Sequence, residues 1–127
     1  MSFGQGALAE GLNAQMGVVE RMLATQVSFD DLQVDPATSH LAQAGGKRLR
    51  PLLVLLAAQL GPRPQDPAVY DAAVVVELTH LASLYHDDVM DEAPMRRGVP
   101  SAQAKFGNSV AILAGDVLFS RASILMA

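Results

Sequence analysis

Apolar residues recur at helical spacing almost everywhere in this chain, and the strict alternation of a half-buried strand is scarce. A chain patterned this way buries its apolar stripes by packing helix on helix, so the expected fold is all-α. Five helical stretches are predicted. The first runs from about Leu8 to Gln26, with Leu12, Met16, Val19 and Leu23 on one stripe. The second is short: Asp35 is its expected cap, Pro36 lies in its first turn, and Gly45–Gly46 ends it. The third starts at Pro51 and stops at Gly61–Pro62. The fourth has Asp66 as cap and Pro67 in its first turn, and continues to about Glu92, with Pro94 beyond. The fifth starts near Asn108 and runs to the end, and a short turn of helix over Ala102 to Phe106 links it to the fourth. The sequence stops at Ala127 within this apolar helix without a glycine, proline or polar cap, so residues 1–127 read as a partial domain.

Half of the residues are hydrophobic, enough for one modest core, and the net charge is −4. That balance argues against a general nucleic-acid binder, which would show a basic face. The basic residues are nevertheless clustered, as Lys47, Arg48 and Arg50 and then Arg96 and Arg97, which leaves an anionic ligand open. The absence of cysteine excludes disulfides and thiolate metal sites and fits a reducing, cytoplasmic setting. Met1 to Gly6 show no basic segment followed by an apolar run, so no signal peptide is expected. No membrane span is expected either, because the apolar runs from Leu52 and from Val110 are interrupted by Gln59 and Asp116.

The most informative segment carries Asp87, Asp88 and Asp91 near the C-terminal end of the fourth helix. Asp87 and Asp91 are one turn apart and point the same way, an arrangement that destabilises a bare helix by a few tenths of a kcal/mol, roughly. The helix dipole adds to that cost. A divalent cation compensates it, and magnesium typically takes one or two carboxylates together with phosphate and water. A solvated acidic helix end is the plainer alternative. His80 lies two turns before Asp87 on nearly the same stripe. Just past the helix, Met95-Arg96-Arg97-Gly98 places two guanidiniums in a short loop. Arginine suits multidentate contact with phosphate. Carboxylates for a cation beside arginines for anions suit a metal-bound polyphosphate.

The second feature is Gly45-Gly46-Lys47-Arg48-Leu49-Arg50-Pro51. Two glycines allow a tight turn and close ligand approach, and three cations follow at a helix entrance. A phosphate cradle and a solvated helix connection both fit. The spacing is not that of a P-loop, and no Ser or Thr follows the lysine.

Taken in order, the Gly45–Pro51 segment, His80, Asp87-Asp88-Val89-Met90-Asp91, Arg96-Arg97-Gly98 and Gly115-Asp116-Val117-Leu118-Phe119 resemble the trans-isoprenyl (polyprenyl) diphosphate synthase family. The match runs from about Leu41 to the C-terminus. The resemblance implies the N-terminal portion of the isoprenoid synthase helical bundle, with a deep central cavity and the C-terminal half absent. It implies a prenyltransferase that joins isopentenyl diphosphate head to tail to an allylic diphosphate, with Mg2+ as cofactor. Asp87, Asp88 and Asp91 match the first aspartate-rich motif, which holds the allylic diphosphate through the metal. Arg96 matches the allylic-diphosphate contact, and Lys47, Arg50, His80 and Arg97 match residues that hold isopentenyl diphosphate. A homodimer is implied for the complete protein, and little activity for the fragment alone.

Ala82 and Ser83 lie five and four residues before Asp87, deeper along the same helix. Both are small, which in this family resembles medium- or long-chain synthases, and Ala82→Phe is expected to shorten the product. Tyr85 is expected to pack in the core. Asp116 is expected to be a buried structural carboxylate with hydrogen-bonding partners. Two other functions compete: a terpene cyclase of the same fold, and a non-catalytic partner subunit of a heteromeric synthase. The Gly45–Pro51 segment with Arg97 argues against the cyclase, which needs no second diphosphate pocket. The complete aspartate cluster argues against the non-catalytic subunit.

Overall fold

The computed structural model describes residues 6–127, so the expectation made for Met1 to Gly6 falls almost wholly outside them. Six helices follow in chain order: α1 (Ala7–Val27), α2 (Asp35–Gln43), α3 (Leu49–Ala58), α4 (Pro67–Met90), α5 (Ala102–Phe106) and α6 (Asn108–Met126). Between α4 and α5 lies a small antiparallel hairpin, β1 (Met95–Arg96) and β2 (Val99–Pro100), which the periodicity does not reveal. The fold is all-α apart from that hairpin.

The helix ends follow local chemistry. Asp66 caps α4 as expected, its Oδ1 accepting the Ala68 N–H at 2.9 Å, with Pro67 behind it. Asp35 does otherwise. It is the first residue of α2, and its Oδ1 accepts the Phe29 N–H at 2.8 Å, closing the preceding loop instead of capping its own helix. At the end of α4, the Glu92 N–H reaches Val89 O (3.3 Å) and the Ala93 N–H reaches Asp88 O (3.0 Å). That pairing is a Schellman closure, and Glu92 occupies its left-handed position at φ 53° where glycine is usual.

α4 is the centre of the bundle, packed most extensively against α6, then α3, then α1. Its buried stripe includes Val74, Leu78, Leu81, Ala82, Tyr85 and Asp88. Val19 and Leu23 of α1, Leu55 of α3 and Leu118 of α6 close on the same core. Each such aliphatic side chain contributes about 1.5–3 kcal/mol over its exposed state. Tyr85 is fully buried, as expected. Its hydroxyl donates to Ala37 O at 2.5 Å and accepts the Leu41 N–H at 3.3 Å, which pins α2 onto α4. Burial pushes its pKa up to about 12, so it remains a neutral phenol.

α6 departs from expectation in two ways. It is an unbroken helix of 19 residues with mean hydropathy 1.6 over its most apolar stretch, long and apolar enough to cross a membrane by length and composition. It nevertheless packs along α4 through Ala111, Ala114, Gly115, Leu118 and Ala122. And Asp116 is not buried: its side chain is 62% exposed. Helical phase puts it on the side of α6 away from Leu118. Leu49, Leu53, Leu56 and Leu60 in and just after α3, and Ile112, Leu113, Phe119 and Ile124 in α6, are exposed in this structure.

Candidate active site

The half-buried and exposed side of α4 carries His80, Ser83, Asp87 and, at the C-cap, Asp91. The 3.6-residue period aligns them over about three turns. Asp87 and Asp91 are exposed, and neither makes an ion pair among the described residues. Two free carboxylates one turn apart fit a hard divalent cation that also takes oxygens from a phosphate.

Asp88 has another position. It is fully buried and grips Arg96: Nε lies 3.1 Å from both carboxylate oxygens and Nη2 lies 2.6 Å from Oδ1. That fork leaves Arg96 about one-third exposed. The Asp88 hydrogen bonds, ahead of the more distant Asp87 and Asp91, hold the guanidinium pKa up against burial. No three metal-ligating side chains converge among the described residues. The aspartate trio therefore divides, with Asp87 and Asp91 open to a cation and Asp88 positioning an arginine.

The two arginines of the hairpin also part. Arg97 and Gly98 form its two-residue turn, both with positive φ (54° and 78°), as a type I′ turn requires. The turn directs Arg97 back under the Gly45–Gly46 segment, where Nη1 donates to Leu41 O at 3.0 Å and to Gly45 O. Arg48 completes that support. Its Nη2 donates to Ala42 O (2.9 Å), its Nη1 to Gly45 O (3.4 Å) and its Nε to Glu20 (2.7 Å). Arg48 is thus a buried structural cation and not part of an open cradle.

Lys47 and Arg50 remain exposed. Arg50 Nη1 approaches His80 Nε2 at 3.3 Å, joining the glycine turn to α4. A guanidinium only donates, so Nε2 accepts and the imidazole is neutral with its proton on Nδ1. Burial first, and then Arg50, Arg97, Arg96 and Arg48, lower the His80 pKa. The free protein accordingly loses stability at this group as pH falls through 6.5 toward the lowered folded value. A diphosphate bound beside His80 would reverse the field. Calorimetric titration of the full gene product with diphosphate near pH 6, in buffers of different ionisation enthalpy, is expected to show more proton uptake than the His80→Gln variant. Equal uptake contradicts the assignment.

Ala82 and Ser83 are separated by the helix. Ala82 is fully buried in the interhelical core, so phenylalanine there would disrupt packing. Ser83, one turn before Asp87, is half-buried on the open side, its hydroxyl bonded to His80 O at 2.6 Å.

Sequence reasoning missed Glu77 and His86. Glu77 is a lone carboxylate in the run Val74-Val75-Val76-Glu77-Leu78, a signal that was legible. His86 lies next to Asp87, and its Nε2 is 3.1 Å from Ile112 O and 3.2 Å from Asp116 Oδ1. Its ring lies against Phe119 and occupies the space that a Cβ at Gly115 would need. The Gly115-Asp116 pair is therefore a seat for His86. Three non-glycine residues have positive φ among the described residues, Arg48, Glu92 and Arg97, and all three border this site. Such strain concentrates where surrounding contacts over-determine a functional geometry.

The family model described as Polyprenyl synthetase matches residues 32–127. Over its whole length the chain is 49% identical to a nonaprenyl diphosphate synthase of Mycobacterium tuberculosis, covering 38% of that protein. It is 43% identical over 121 residues to a heptaprenyl diphosphate synthase component 2 of Geobacillus stearothermophilus, with 95% of this chain and 38% of the relative covered. Among solved structures, a heptaprenyl diphosphate synthase from Staphylococcus aureus superposes with a TM-score of 0.87 at 34% identity, over 91% of this chain and 36% of that one. A geranylgeranyl pyrophosphate synthase from Corynebacterium glutamicum, complexed with calcium and isoprenyl diphosphate, superposes with a TM-score of 0.83 at 49% identity, over 99% and 38%. The chain thus spans a little over one-third of the length of these proteins.

Proposed function

The chain belongs to the polyprenyl synthetase family, and from that premise we propose that its full gene product condenses isopentenyl diphosphate head to tail with an allylic diphosphate, releasing diphosphate. The observation that carries this reading is the pairing, along one side of α4, of free Asp87 and Asp91 with a separate basic site where Arg50 meets His80, with exposed Lys47 in the same glycine-basic segment. One site suits a metal-bound diphosphate and the other a second diphosphate. A terpene cyclase needs only the first.

Asp87 and Asp91 hold the cation, Mg2+ in our reading. The calcium in the Corynebacterium glutamicum structure supports a divalent ion. When bound, the ion neutralises the allylic diphosphate and makes it a better leaving group. Arg96, aimed by Asp88, contributes a fixed positive charge to the same leaving group. Lys47, Arg50 and His80 hold isopentenyl diphosphate so that its double bond faces the allylic carbon where cationic charge develops. Orientation of the two carbons contributes much of the acceleration. The new carbon–carbon bond forms as the allylic carbon–oxygen bond breaks, and the released diphosphate takes the proton lost from the product. No protein general base is required.

The product is proposed to be of medium or long chain, and the enzyme to be a cytoplasmic homodimer. Ser83 takes over the chain-length role first considered for Ala82 as well, because it shares the side of α4 that bears Asp87. Ser83→Phe in the full gene product is expected to shorten the main product by at least one isoprene unit in mass spectrometry. Unchanged length contradicts that role. Chelation by EDTA tests the reaction itself: elongation stops and returns on addition of Mg2+, whereas elongation that survives chelation contradicts it.

A further inference from the structure

Behind the glycine turn, one carboxylate is enclosed among cations. Glu77 is 2% exposed, its Oε1 is 3.5 Å from Arg48 Nη1 and 3.9 Å from Arg97 Nη2. These same guanidiniums donate to Leu41 O, Ala42 O and Gly45 O, the backbone leading into the turn. Following the turn in sequence, Lys47 and Arg50 are exposed. Four cations therefore surround one short segment. The other nearby carboxylate, Glu20, is about half exposed and, among the described residues, bonds only Arg48.

We infer that Glu77 is a positioning residue for the second diphosphate: its buried charge draws Arg48 and Arg97 together behind the Gly45–Gly46 turn, and they fix the backbone that presents Lys47 and Arg50. The inference rests on the proposed function and assigns Glu77 no contact with substrate. Burial raises the Glu77 pKa, against the lowering influence of Arg48, Arg97 and Arg50, with Glu20 adding to the rise. An ionised carboxylate in such a place is not explained by stability, because desolvation offsets much of what the ion pairs contribute. A fixed loop geometry explains it. Without the counter-charge, Arg48 and Arg97 repel each other and the turn loses its rear support.

The test uses the full gene product with Glu77→Gln, which keeps the side-chain shape and removes the charge. The expected result is a KM for isopentenyl diphosphate raised about tenfold, with the KM for the allylic diphosphate within twofold of the parent. A merely structural residue would instead lower the folded, active fraction and leave both KM values in place, which would overturn the inference. Arg48→Lys is the second variant, for use where Glu77→Gln does not fold. Lysine retains the charge but lacks the planar, spread donors with which Arg48 reaches Glu20, Gly45 O, Glu77 and Ala42 O together. Arg48 is 7% exposed and its hydrogen bonds go to Glu20, Ala42 O, Gly45 O and Glu77, so the same KM split in this variant points to the turn that it supports. An unchanged isopentenyl-diphosphate KM would overturn the inference. If the parent shows no elongation, the proposed function fails separately, and calorimetric titration with inorganic diphosphate decides the role of Glu77. Binding weakened by Glu77→Gln supports it, and equal or absent binding overturns it.

Discussion

Asp87→Asn and Asp91→Asn are each expected to leave the melting temperature unchanged or slightly higher and to lower turnover of the full gene product by about a hundredfold or more. Asp88→Asn is expected to lower both turnover and stability. The difference follows from placement. Asp87 and Asp91 are exposed like charges at a helix C-terminus, so neutralising one removes repulsion. Asp88 is 1% exposed and bonded to Arg96 through both oxygens, and breaking such a pair costs about 2–4 kcal/mol because the partner cation loses its compensation. Thermal melts beside steady-state kinetics on the three variants check the division. Equal destabilisation by all three, or robust turnover by Asp87→Asn, contradicts it.

Gly46→Ala has the second large effect. Gly46 has φ +143°, a conformation open almost only to glycine, and a side chain there costs on the order of 1–3 kcal/mol. The added methyl would also lie 2.9 Å from Arg97 Cζ, so the guanidinium has to shift, which disturbs its hydrogen bonds to Leu41 O and Gly45 O. Gly45→Ala is the control. Gly45 also has positive φ, at +93°, but a Cβ there meets nothing within 4 Å. Both variants are expected to lose stability. Only Gly46→Ala is expected to raise the isopentenyl-diphosphate KM by about tenfold or more, the loss of one charge-assisted contact set. Equal KM values for the two variants would detach Arg97 from the second diphosphate site.

Much of this arrangement was legible in the sequence. The apolar period placed α1, α4 and α6 to within a few residues, and Asp66-Pro67 marked the start of α4 because cap and first-turn chemistry act locally. The side of α4 shared by His80, Asp87 and Asp91 also followed from helical phase alone. What the pattern could not give was partner choice over long separations. Nothing local distinguishes Asp88 from Asp87, yet helical phase turns one into the core toward Arg96 and leaves the other in solvent. Arg48 reads as a loop cation until Glu20 and Glu77 are brought to it from two other helices. Asp116 was misplaced because hydropathy averages over the helix, while burial depends on which side of α6 meets α4. The hairpin escaped because two strands of two residues carry no period, although Arg97-Gly98 has the turn chemistry.

The most direct measurement is mass spectrometry of the products formed by the full gene product with Mg2+ and an allylic diphosphate, with and without isopentenyl diphosphate. The two diphosphate sites proposed here predict products longer by successive five-carbon units only when isopentenyl diphosphate is present. Conversion of the allylic diphosphate alone into a cyclic hydrocarbon, with no elongation when isopentenyl diphosphate is added, would contradict the account.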